Sequence, residues 1–438
     1  MSSSSNQKSE IRNQKSLSYL TPDTPGIGGV IKERPEDFLV EEQPLYQPTG
    51  SGEHLYLFLE KRRTTTTDVA RRLAHAFRVG RGDIGFAGLK DKHAITRQHF
   101  SVYLPDPSHD QELLKNVEMP TLSLLWVQRH ANKLRRGHLA GNRFVIRIRQ
   151  VEPTSVVRAK QILDRLAVSG SPDYVGGQRF GYRQDNHELG RFLLLGKHRE
   201  LLDQMLGQPR GVDFAPTRAA REAYERHDYI AALEFWPKHH RPERQALDAL
   251  RQGRDARAAV MAIDPHQRHF LISALQSAIF NAVLHRRISD KLFDRLLEGD
   301  LAWKHDSRAV FPVDQATADL ENAPDGRVAR REVSPSGPMW GAGMTRPAGR
   351  VLEWETQALR ELDITEADLA TGPLGAIEGV RRPMRTLLKD ADVSGGVDEF
   401  GSYVRLAFEL PRGSFATSVL REIMKSEGHA QAGEPQEA

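Results

Sequence analysis

Residues 85–98, GFAGLKDKHAITRQ, set the carboxylate of Asp91 between Lys90 and Lys92, with His93 beside it and two glycines just before it. Flanking ammonium groups favour the ionised carboxylate. An ionised carboxylate can attack a sugar carbon or take a proton as a general base. The same residues also make an ordinary solvated hairpin turn, so this stretch alone leaves both readings open.

Other chemistries are excluded by what is missing. The chain has no cysteine, which removes disulfides, thiolate metal sites and a thiol nucleophile. Neither His187-Glu188 nor Lys238-His239-His240-Arg241 has metal-ligand spacing, so no metal is expected. No phosphate-binding P-loop or dinucleotide fingerprint occurs, and no cofactor is expected.

Charge is mild in total, +4 with a pI near 9.1, but it is unevenly placed. Between residues 126 and 150 there are Arg129, Lys133, Arg135, Arg136, Arg143, Arg147 and Arg149 with no Asp or Glu. Such a stretch can neutralise phosphates, and Arg135, Arg136, Arg143 and Arg147 are its candidate contacts to a phosphate backbone.

The elements that must position these groups follow from hydrophobic period. Phe38-Leu39-Val40 and residues 54–59 read as strands. A helix follows, with Asp68 as its cap, Val69, Leu73, Ala76 and Phe77 as its apolar stripe and Gly80 as its left-handed stop. Residues 95–104 and 143–149 alternate as strands, the latter with Phe144, Ile146 and Ile148 on one face and arginines on the other. Val156 to Leu166 marks a helix stopped at Gly170. The chain is then mainly helical, with Asp264 capping a long helix that has Pro265 in its first turn, and Gly and Pro interrupt the pattern over residues 334–347. Strands resume near Arg381, and residues 403–410 alternate before Pro411-Arg412-Gly413-Ser414 opens a last helix. Late strands need partners, so one sheet interrupted by an inserted helical domain is expected.

Five segments together resemble the TruD family of tRNA pseudouridine synthases: GLKDKHAITRQ, RPEDFLVEE (34–42), GNRF (141–144), GGQRFG (176–181) and LPRGSFATSVLRE (410–422). They occur in the family's order and span both ends of the chain. The resemblance implies an α+β fold, in which a pseudouridine synthase catalytic domain with a bent mixed sheet is interrupted by an inserted TRUD domain rich in helix. The implied division is a tail at 1–16, catalytic parts at 17–169 and 386–427, the insert at 170–385, and a tail at 428–438, with both tails disordered by composition.

It further implies isomerisation of uridine to pseudouridine in tRNA, at uridine 13 of the D-arm. Asp91 would be the catalytic nucleophile or base, and the Lys32 ammonium could steady Asp91 or assist proton transfer. Phe38, Asn142 and Phe415 would hold the base flipped out of its stack. Phe38 also reads as core, Asn142 as a turn residue and Lys32 as a surface lysine. Gln178 and Arg179 border the insert and read mainly as packing. The sequence departs from the family at Asp173-Tyr174-Val175, so no stacking role is carried over to Val175. The resemblance thins over residues 196–263 and 310–350.

Two other classes fit parts of the pattern: a base-excising glycosylase and a non-catalytic RNA-binding protein. Apolar residues are 39% and charged residues 27% of 438, ordinary for a folded globular protein. No apolar run reaches the roughly 18–20 residues that span a bilayer. A cytoplasmic protein with tRNA as partner and no membrane is expected; the oligomeric state is open, with a monomer favoured.

Overall fold

The computed structural model describes residues 17–117, 119–372 and 374–426; the expected tails at 1–16 and 428–438 lie outside the described residues. The chain divides into two compact units. One contains Leu20–Pro172 together with the described residues from Thr386 onward, and the other contains Asp173–Arg385 with residues 17–19.

The first unit is built on one eight-stranded sheet. Its strands are β1 (Phe38–Pro44), β2 (His54–Arg62), β3 (Ile84–Phe86), β4 (Ile95–Tyr103), β5 (Leu122–His130), β6 (Leu139–Arg149), β7 (Lys389–Asp398) and β8 (Gly401–Pro411). They lie in the order β7-β8-β6-β1-β4-β2-β5, with β3 beside β4. The sheet is mixed, because β1 and β4 run parallel while the other pairs are antiparallel. The late strand β8 pairs with β6 from Tyr403 opposite Arg149 to Pro411 opposite Gly141.

Strand parity decides what is buried. Phe38, Val40, Phe144, Ile146, Ile148, Val404, Leu406 and Phe408 share one face and pack on helices α2 (Ser155–Ser169) and α3 (Ala416–Met424). Farther along the same face, Leu55, Leu57, Leu59, Phe100 and Val102 pack on Val69 and Leu73 of α1 (Thr66–Ala76). The ends of α1 differ from the sequence expectation. Thr65 is the cap and accepts from the Asp68 amide at 3.0 Å, because the threonine run puts a hydroxyl three residues earlier. Asp68 instead sits in the first turn, where the helix dipole favours its charge. The left-handed residue at the other end is Arg78, not Gly80; it lets Val79 fold back and donate to the Ala74 carbonyl.

The second unit carries a series of helices around Pro265–Ser289, where Asp264 accepts from the His266 amide at 2.7 Å. It also contains a four-stranded sheet, Val380–Pro383, Val333–Met339, Leu301–Lys304 and Val310–Pro312 in that order; the strand expected near Arg381 belongs to this second sheet and not to the interrupted one, and the other three strands were missed. The Gly/Pro interruption thus begins with a strand that includes Pro335, Gly337 and Pro338. Residues up to Pro335 pair on one side and those from Ser336 on the other, so a proline's missing N–H can face an unpaired edge. Val175 is buried, its backbone held at both ends by the Asn281 amide. Arg179 stacks on Phe270 of the same unit, 5.0 Å from guanidinium to ring centre.

Candidate active site

Asp91 lies in the loop between β3 and β4, just before β4 begins at Ile95, which pairs with Leu39 near the start of β1. Its two carboxylate oxygens have different partners. Oδ2 is ion-paired with the Lys32 ammonium, and Oδ1 accepts from the His93 amide at 2.9 Å. Burial pushes the Asp91 carboxyl up, but Lys32 and His93 outweigh it and hold the group below the usual Asp range. Asp91 is therefore an anion at neutral pH, half-buried and still open to a reactant.

The charge that stabilises Asp91 comes from Lys32 rather than from its sequence neighbour Lys90, whose side chain points elsewhere. Lys32 Nζ also lies 4.7 Å from the centre of the Phe38 ring. Phe38 is buried, edge-on to Phe144 at 6.5 Å, and forms a floor beneath the ammonium.

The loop backbone is tied down along its length. Lys61 on β2 is 1% exposed; its Nζ donates to the carbonyls of Thr64 (2.7 Å), Asp91 (2.9 Å) and Lys90 (3.4 Å). Burial pushes its pKa down to about 8, partly offset by the Asp91 charge. Thr66 at the start of α1 accepts from the Lys90 amide at 2.9 Å and donates to Gln98, which in turn donates to the Gly88 carbonyl at 3.3 Å.

Asn142, on β6 opposite Glu42 of β1, joins this loop through Lys90. Lys90 Nζ donates to Asn142 Oδ1 at 2.7 Å and lies 3.2 Å from Glu42 Oε2. Glu42 Oε1 accepts from the His99 backbone amide at 3.2 Å and lies 3.1 Å from His99 Nδ1. Burial pushes the Glu42 carboxyl up, but His99 and Lys90 outweigh it and hold it ionised.

The remaining candidates separate by position. Phe415 caps α3 and is 56% exposed, an unusual place for a large aromatic side chain. The preceding loop is held to the start of β6, with the Arg412 amide donating to the Ala140 carbonyl and its guanidinium to the Gly137 carbonyl at 2.6 Å. Arg135 and Arg136 are exposed in the loop before β6. That loop meets the Asp91 loop where the Gly137 amide donates to the Ala87 carbonyl, and Arg136 lies 5.7 Å from the Phe86 ring centre.

Arg143 and Arg147 alternate with Asn142, Phe144 and Ile146 and so project from the opposite face of the sheet. The structure does not bring them together with Asp91. Arg147 there lies 3.6 Å from Asp398 and 4.9 Å from the Tyr403 ring. Two other cations of the basic stretch are bound internally, Arg129 to Asp110 and Arg149 to Asp37 and Asp398.

The sequence matches the family model described as tRNA pseudouridine synthase D (TruD) over residues 15–423. The chain belongs to the TruD family. Among similar proteins, tRNA pseudouridine synthase D of Geobacter sulfurreducens is 42% identical over 419 residues, covering 95% of this chain and 99% of that protein. Its counterpart in Anaeromyxobacter dehalogenans is 35% identical over 414 residues, covering 94% and 97%. The crystal structure of a putative tRNA pseudouridine synthase D (TruD) from Methanosarcina mazei superposes with a TM-score of 0.82 at 27% identity, covering 95% of this chain and 98% of that one. The mixed α+β architecture is thus that of a TruD-family structure. Among the described residues of this family member no cluster of ligating side chains could hold a metal, and no helix is long and apolar enough to cross a membrane.

Sequence reasoning missed Lys61, Glu42, Lys90 as a partner of Asn142, His99, Thr66 and Gln98. A signal was present for two of them: Lys61 has the parity of Leu55, Leu57 and Leu59, and Glu42 that of Phe38 and Val40. Each is a charge on an inward-facing position.

Proposed function

We propose that this TruD-family chain isomerises uridine to pseudouridine in tRNA, at uridine 13 of the D-arm, with Asp91 as the catalytic carboxylate. The observation that carries the reading is an ionised, half-buried carboxylate on a loop whose backbone is tied down along its length, paired with one lysine, with the Asn142 amide joined to the same loop through Lys90. The reaction breaks the bond from ribose C1′ to uracil N1 and forms one from C1′ to C5. The C5 proton is lost and N1 gains one, so no redox step or cofactor is needed. Positive character develops on the ribose as the first bond breaks, and an anion beside it stabilises that charge, attacks C1′ or removes the C2′ proton. The geometry suits Asp91 for nucleophile or base alike.

In this reading Lys32 keeps Asp91 ionised and oriented. Asn142 binds the polar edge of the flipped uracil, exposed Phe415 offers it a stacking face, and Phe38 supports Lys32 from below. Arg135 and Arg136, beside the catalytic loop, dock backbone phosphates; Arg143 and Arg147 take part only if RNA also reaches the far face of the sheet. Residues 170–385 act as the TRUD insert between catalytic parts at 17–169 and 386–427, in a cytoplasmic monomer.

The test is to incubate wild-type and Asp91→Ala protein with unmodified tRNA transcript and map pseudouridine at nucleotide resolution by carbodiimide labelling. Product at one D-arm uridine with the wild type alone is expected. Free uracil with an abasic ribose would replace the reading with a glycosylase, and no change to any tRNA by the wild type would overturn it.

A further inference from the structure

We infer that the buried Glu42–Lys90 ion pair is a positioning device that fixes Asn142 so that its amide presents only N–H donors to the target base. The inference rests on the reading above, in which a uracil is held beside Asp91.

An asparagine amide can occupy its site in two orientations that differ by exchange of oxygen and nitrogen. Here the choice is made chemically. An ammonium group has no acceptor, so the atom 2.7 Å from Lys90 Nζ must be Asn142 Oδ1, and Nδ2 with its two hydrogens is directed away from Lys90. Lys90 is in turn held by Glu42, which is 2% exposed. Glu42 is held by the backbone amide of His99 and faces its ring nitrogen, and that ring is stacked on Phe58 at 4.5 Å. The chain from Phe58 through His99, Glu42 and Lys90 to Asn142 leaves the amide little freedom to turn.

Burying such a pair gives little net stability, since the cost of removing both charges from water offsets much of their attraction. Its consequence is felt at Asn142. Uracil offers acceptor oxygens next to its N3–H, and a fixed donor favours them, whereas a flipped amide would put an oxygen against those oxygens. A site built around a fixed donor rejects groups that cannot accept its hydrogen bond.

The test uses single-turnover kinetics on tRNA transcript together with thermal melting of each variant. Asn142→Asp keeps an oxygen for Lys90 and replaces the donor with a second oxygen; kcat/KM should fall by about 100-fold or more, the scale of losing one aimed donor, with the melting temperature nearly unchanged. Lys90→Met alone strands the Glu42 charge, so the Glu42→Gln/Lys90→Met pair is used to remove both charges. That pair should lower kcat by roughly 10-fold with little change in KM, and added to Asn142→Asp it should cost nothing further, because both act through the same amide.

Asn142→Asp within about threefold of wild type would overturn the inference. So would costs that multiply when the changes are combined, or a loss that tracks melting temperature. If wild-type protein forms no pseudouridine at all, the functional reading fails; if it does and this pattern is absent, only the role of the pair fails.

Discussion

Lys61→Met tests whether the backbone anchor of the Asp91 loop serves chemistry or stability. In the wild type, burial lowers the Lys61 pKa from 10.5 to about 8, a penalty of about 3 kcal/mol at 1.36 kcal/mol per pH unit. Against this stand its two shorter hydrogen bonds, to Thr64 and Asp91. Bonds from a charged donor contribute about 1.5–3 kcal/mol each, or roughly 3–6 kcal/mol together. Methionine removes penalty and bonds alike, so stability should change by no more than about 3 kcal/mol. The Asp91 carbonyl, however, loses its tether, and a shift of about 1 Å in a reacting group costs about 100-fold in rate. Denaturant unfolding and single-turnover pseudouridine formation measure the two effects. Full activity, or a loss accounted for by the unfolded fraction, would refute the argument.

The same lysine gives a pH signature. Its folded pKa lies below its unfolded value, so the burial penalty is fully present below pH 8 and fades as pH rises toward 10.5. Stability from this group therefore rises across that window. Activity should fall across it, as the ammonium that holds the Asp91 and Lys90 carbonyls loses its charge, and Lys61→Met should lack that falling limb.

Asp91→Ala is expected to abolish isomerisation and leave tRNA affinity within a few fold, because the carboxylate contributes to the reacting ribose and not to phosphate docking; filter binding beside product mapping checks it. Arg135→Glu and Arg136→Glu should weaken tRNA binding and each reduce the salt slope by about one, while Arg143→Glu and Arg147→Glu, on the far face of the sheet, should change both little. Arg149→Met should destabilise the protein by about 3–5 kcal/mol in denaturant titration, since it leaves the Asp37 carboxylate buried without its partner, and activity per folded molecule should hold.

Much of the first unit was legible because β-strands on a one-sided core write their parity into the sequence. Phe144, Ile146 and Ile148 alternate with arginines, and Val404, Leu406 and Phe408 alternate with Arg405, Ala407 and Glu409; a late strand needs a partner, so strands at opposite ends of the chain could be expected to share a sheet. The ends of α1 were less legible. Four consecutive threonines offer several caps, and only tertiary packing of Val79 decides that Arg78 takes the left-handed turn. The strand Val333–Met339 was hidden because two prolines in seven residues argue against a strand, and whether they face an unpaired edge depends on partners far along the chain.

For the site, the motif located Asp91 but not what controls it. Lys90 and Lys92 flank Asp91 in sequence, yet a loop turns neighbouring side chains in different directions, and of the three lysines considered for Asp91 it is the distant Lys32, brought in by tertiary folding, that pairs with it. Inward-facing charges were the better clue, but alone they do not separate a site from a structural ion pair. Arg149 is as buried as Glu42. Its partners, Asp37 and Asp398, lead only to Arg147 on the far face of the sheet. The networks at Lys61 and Glu42 end at the site: one on the backbone of the loop that carries Asp91, the other on the amide of Asn142. A buried charge whose bonds terminate on a half-exposed polar group transmits position to that group, and tracing each buried charge to its last partner separates the two cases.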